Sequence, residues 1–100
     1  MTTALLTDQY ELTMIDAAIK AGTHNRECVF EVFARRLPDG RRYGIVAGTG
    51  RLLDLITQFR FTDAELNWLR AEKIVTASAL DWLADYRCAG NSRGYREGEV

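Results

Sequence analysis

The sequence is short of the residue types from which reactive sites are most often built. Its 100 residues include one histidine, His24, and two cysteines, Cys28 and Cys88. One imidazole and no CxxC pair leave no basis for a cysteine–histidine zinc site. Two distant cysteines without a spacing pattern read as free, buried thiols rather than a disulfide framework. There is one proline, and no repeat or low-complexity run. No apolar run approaches the roughly 20 residues that a membrane helix needs. The opening "MTTALLTDQY" lacks the basic region and apolar core of a secretory signal. Charge of either sign is also not in excess. Thirteen Lys and Arg against fourteen Asp and Glu give a net charge of −1, so nothing global draws the chain to nucleic acid or an anionic membrane.

What is present suits one soluble domain. Hydrophobic residues make up 47% and charged residues 27%, both ordinary for a globular chain. A chain of this size buries roughly 60–65% of the surface that its unfolded form exposes, enough for one modest core.

The first periodic stretch is "TDQYELTMIDAAIKAG". Leu12, Ile15 and Ile19 recur at helical spacing, with Tyr10, Met14, Ala18 and Ala21 on an adjoining stripe. Asp8 followed by Glu11 has the spacing of a capping box, with Thr7 as a competing cap. Gly22 is placed to end the helix. A helix over 8–21 is predicted. "ECVFEVFARR" then reads as a strand covered on both sides, because Cys28, Phe30 and Val32 alternate with Val29 and Phe33. "LPDG" signals a turn and "RRYGIVAG" a second strand, so Glu27 to Ala47 is predicted as an antiparallel hairpin. Three short helices follow. One opens near Thr49 with Leu52, Leu53 and Ile56 inward. One starts at Thr62 with Glu65, and one at Ser78 with Asp81. The closing "CAGNSRGYREGEV" reads as glycine-rich chain entering a strand that stops without a partner. The expected class is therefore α+β: a helix, an antiparallel hairpin, three short helices and a strand start.

Few groups could carry chemistry. Gly48-Thr49-Gly50 follows a strand and opens a helix, as a phosphate cradle would. Leu53 stands where a dinucleotide fingerprint needs a third glycine, and no P-loop lysine is present. A tight strand-to-helix turn is the plainer reading. Arg35, Arg36, Arg41 and Arg42 flank the "LPDG" turn, where guanidiniums could hold phosphate by paired hydrogen bonds or simply be solvated. His24 reads as a surface loop residue, and Trp68 and Trp82 as packing residues. Tyr10 has two readings: the apolar side of its helix, or a ring that stacks on a flat ligand, with Asp8 facing outward beside it.

Three pieces in order, "LLTDQYELTM", "VFEVFARRLPDGRRYGIVAG" and "GYREGE", resemble the N-terminal part of nicotinate phosphoribosyltransferase, especially its actinobacterial form. Locally the sequence departs from that pattern. Cys88 stands where an aromatic is more usual, and Asn91-Ser92 where Asp and an aliphatic residue are common. The resemblance covers essentially the whole chain, which looks like the first quarter of such an enzyme. It implies that residues 1–100 form an incomplete N-terminal domain of a type II phosphoribosyltransferase, with the catalytic barrel absent. The parent reaction it implies joins nicotinate to phosphoribosyl pyrophosphate, with ATP hydrolysed through a phosphohistidine and Mg2+ as a further cofactor, in cytoplasmic NAD synthesis and salvage. It further implies a homodimer with shared active sites. In these, Tyr10, supported by Asp8, reaches the nicotinate site of the neighbouring subunit. Arg35 and Arg36 are the weaker phosphate candidates. No catalytic residue, metal ligand or cofactor site is expected in this segment, which should be inactive alone. The alternative is a truncated, non-catalytic module that assembles with a full-length paralogue.

Overall fold

The computed structural model describes residues 4–100. Four helices follow in chain order: α1 (Gln9–Ala21), α2 (Thr49–Gln58), α3 (Asp63–Ala71) and α4 (Ala77–Asp85). α1 forms where periodicity predicts it. Leu12 is buried and Ile15 and Ile19 pack beside it. The helix ends at Gly22, whose φ of 72° turns the chain so that the Gly22 and Thr23 amides return to the carbonyls of Ile19 and Ala18. A side chain at that φ would be strained, which is why a glycine serves there.

α3 and α4 are held by threonine caps. Thr62 Oγ1 accepts from the Glu65 amide at 3.2 Å, and Thr76 Oγ1 accepts from the Ala79 amide at 3.3 Å. α4 thus begins two residues earlier than the Ser78 start expected from sequence. The Asp16 carboxylate of α1 explains the choice: it accepts from both the amide (3.1 and 3.2 Å) and the hydroxyl of Thr76. That bond ties the start of α4 to the middle of α1. α4 packs on both α3 and α1, and this three-helix unit holds the core. Leu69, Ala79 and Leu83 are fully enclosed, with Leu12, Phe61, Leu66, Val75 and Leu80 around them. Burying such leucines stabilises by about 1.5–3 kcal/mol each.

The hairpin does not form. The described residues contain four helices and no strand, so the fold is all-helical and not α+β. The "LPDG" turn is made, with the Arg41 amide on the Pro38 carbonyl at 3.0 Å and Gly40 at φ 81°. Its flanks carry no regular secondary structure and no ladder between them. Val29, Phe30 and Val32 are more than four-fifths exposed. A two-stranded ribbon is marginal by itself, and a segment apolar on both faces gains its stability only when both are covered. Here neither is.

The closing segment meets the other flank at one point. The Val46 amide donates to the Glu99 carbonyl and the Gly98 amide to the Val46 carbonyl, both at 2.8 Å. Two residues thus oppose one, with Gly98 at φ 83°. This is the bonding of a glycine β-bulge, and it stands where the sequence predicts a strand start.

α2 also departs from expectation. Leu52, Leu53 and Ile56 remain just over one-third exposed, because no other helix covers them. α2 instead joins the core through its end, where Phe59 meets Phe61 and Tyr86 edge-on at 5.7 and 6.0 Å.

Candidate functional site

The first turn of α1 presents Tyr10 to solvent. Its side chain is 58% exposed, so in this chain it is not a core residue; two positions from the buried Leu12, it falls on nearly the opposite side of the helix. Asp8 occupies the N-cap position in extended conformation, but its side chain makes no cap hydrogen bond. The expected Asp8–Glu11 capping box reduces to a backbone bond, from the Glu11 amide to the Asp8 carbonyl at 3.1 Å. The Asp8 carboxylate therefore remains exposed and available. Glu11 first, and then Asp8, hold the Tyr10 phenol above the usual tyrosine range. Negative charge disfavours the phenolate, so at neutral pH Tyr10 is a neutral ring with a hydroxyl donor.

The arginine-bearing turn is a second exposed place. Arg35, Arg36, Arg41 and Arg42 are all exposed. Residues Gly40 to Ile45 line an open groove of about 540 Å³ that includes Arg41, Arg42 and Tyr43, while Arg35 and Arg36 lie outside its lining. Leu37 closes against the backbone of Gly44, where an added Cβ would sit 3.2 Å from a Leu37 methyl carbon.

The glycine turn before α2 already holds an anion, supplied by the chain itself. The two Glu97 carboxylate oxygens accept from the amides of Gly48 and Gly50, each at 3.0 Å. Those hydrogen bonds, Gly50 first, hold the Glu97 carboxyl below the usual carboxylate range. The phosphate-cradle reading of Gly48 and Gly50 is thereby answered in part: the amides do converge on an anion, and that anion is Glu97. Sequence reasoning missed Glu97. The signal available was an acidic residue within the "GYREGE" motif, without anything to say which glycine turn it meets.

Other expectations divide. His24 is half-buried rather than a surface residue, with Trp82 edge-on at 6.5 Å. Trp82 packs against the core, whereas Trp68 is 50% exposed. Cys28 and Cys88 are free, as expected, but exposed rather than buried. Among the described residues, no group of three His, Cys, Asp or Glu side chains could hold a metal ion. No described helix is long and apolar enough to cross a membrane.

These features sit on a recognisable domain. Residues 5–100 match the family model of the nicotinate phosphoribosyltransferase (NAPRTase) N-terminal domain, and the chain belongs to that family. It is 55% identical over 96 residues to the nicotinate phosphoribosyltransferase pncB1 of Mycobacterium tuberculosis, and 38% identical over 97 residues to pncB2 of the same organism. Those matches cover 96% and 97% of this chain and 21% of each relative. The nicotinate phosphoribosyltransferase of Bacillus subtilis is 35% identical over 69 residues, which is 69% of this chain and 14% of that protein. The chain thus spans about one-fifth of the length of the Mycobacterium relatives. No solved structure matches it.

Proposed function

We propose that this chain is the N-terminal segment of a nicotinate phosphoribosyltransferase. The parent enzyme would form nicotinate mononucleotide and pyrophosphate from nicotinate and phosphoribosyl pyrophosphate, coupled to ATP hydrolysis, in cytoplasmic NAD synthesis and salvage. The observation that carries this reading is the family match over residues 5–100. In the proposal, Tyr10 and Asp8 serve the nicotinate site of a neighbouring subunit in a homodimer. An exposed ring on a helix turn offers a planar aromatic acid a stacking surface in a fixed orientation. Arg35 and Arg36 are the candidates for contact with phosphate, and their exposure leaves their guanidiniums available for it.

The glycine turn that could cradle phosphate is filled by Glu97, and among the described residues no group of three His, Cys, Asp or Glu side chains could hold a metal ion. ATP, when bound by the parent enzyme, would supply the free energy that drives condensation. The segment's part is confined to binding and orienting the other substrates. The test is nicotinate-dependent release of pyrophosphate from phosphoribosyl pyrophosphate. A longer protein carrying this segment should catalyse it, and the 100-residue chain alone should not. A longer protein without nicotinate-dependent turnover would sink the reading, and turnover by the short chain near the rate of the longer one would sink its division of labour.

A second reading, a non-catalytic module that assembles with a full-length paralogue, is favoured by the exposed apolar stretch at Val29, Phe30, Val32 and Phe33. A stable complex on mixing the two purified chains would support it.

A further inference from the structure

α2 begins at a glycine. Gly48 is its N-cap, in left-handed conformation, and no side chain of its own caps the helix. The first amides of such a helix need partners, and the end carries partial positive charge. The partner comes from nearly fifty positions further along the chain. The Glu97 carboxylate spans the turn, one oxygen on Gly48 and the other on Gly50. The contact does not stand alone. Thr49 Oγ1 donates to the Tyr95 carbonyl at 3.4 Å, and Val46 exchanges backbone hydrogen bonds with Gly98 and Glu99. The Arg96 amide in turn donates to the Glu99 carboxylate at 2.9 Å, which shapes the turn that aims Glu97. Residues 46–50 and 95–99 are therefore closed on each other by one carboxylate and a bulged backbone pair.

We propose that Glu97 is a clasp that holds the N-terminal end of α2 and the root of the arginine-bearing loop in place, and that opens without unfolding the three-helix core. The layout supports a local device. α2 touches the core at its far end, through Phe59. Its near end carries the loop with Arg41 and Arg42, and is held by the clasp. The clasp carboxylate is exposed rather than packed in the core, so its release exposes no core leucine. The same amides hold the Glu97 carboxyl below the usual carboxylate range.

The test is amide hydrogen exchange on the 100-residue chain, comparing the parent sequence with Glu97→Gln and Thr49→Val. Glutamine retains one acceptor oxygen and loses the charge, so Gly48 and Gly50 should exchange about tenfold faster or more in Glu97→Gln. Thr49→Val removes only the flanking bond and should change them by about twofold at most. Protection at Leu69 and Leu83 should stay unchanged in both. Unchanged exchange at Gly48 and Gly50 in Glu97→Gln would overturn the proposal. Equal effects of the two variants would overturn the carboxylate's role, and loss of protection at Leu69 and Leu83 would overturn its independence from the core.

Discussion

Tyr10 stands on the first turn of a helix with its ring in solvent, beside two carboxylates, Glu11 and then Asp8, that raise its phenol above the usual tyrosine range. A single exposed tyrosine is an ordinary surface feature. What sets this one apart is its platform: a helix turn anchored by Leu12 fixes where the ring points, whereas a loop would let it wander. If the ring orients nicotinate, Tyr10→Ala in the full-length enzyme should raise the nicotinate KM by about tenfold or more, the loss expected of one aromatic contact. The KM for phosphoribosyl pyrophosphate should move little. Steady-state kinetics on both substrates checks this, and an unchanged nicotinate KM would return Tyr10 to the role of a surface residue. From periodicity alone the two sides of α1 could not be assigned. Leu12 and Tyr10 are two positions apart, on nearly opposite sides of the helix, and only the placement of α4 decides which side is covered.

At the scale of elements, short polar side chains decide where helices start. Thr62 caps α3 as its spacing with Glu65 predicts. Thr76 caps α4 in place of Ser78 because Asp16 reaches across from α1 and fixes it. That partner lies sixty positions away in the sequence, beyond the reach of any local capping pattern. Asp16→Ala should therefore loosen both the α1–α4 contact and the α4 cap, and lower stability by about 1–2 kcal/mol. Urea denaturation followed by helical circular dichroism measures it, and a midpoint within error of the parent chain would show that Thr76 caps without help. All four helices were legible from periodicity, and so were the Gly22 stop and the Pro38–Arg41 turn. The hairpin was legible as composition but not as structure. β-Branched and aromatic residues state that a segment fits a covered sheet; they do not state that the cover lies within the same hundred residues. α2 makes the same point. Leu52, Leu53 and Ile56 form an apolar stripe, and no neighbour buries it.

The whole molecule is elongated, 48 × 27 × 25 Å, because a small three-helix core carries a long exposed arm. The two halves differ in what they leave in water. The core encloses Leu69 and Leu83 completely, whereas the arm exposes Val29, Phe30, Val32, Phe33, Tyr43 and Ile45 by more than three-fifths each. Single apolar residues on a surface are unremarkable, but a run of them along backbone that belongs to no helix or strand offers both apolar area and unpaired amides to another chain. The isolated 100-residue chain should therefore self-associate, as a concentration-dependent shift to larger species in size-exclusion chromatography. Phe30→Ser together with Val32→Thr should move it toward the monomer. Those positions touch none of the buried leucines, so helical content should hold while association weakens. A compact monomer of the parent chain at high concentration would contradict this. It would mean that the arm covers its own apolar side chains in solution, and that the missing ladder between residues 27 and 47 forms without help from any other chain.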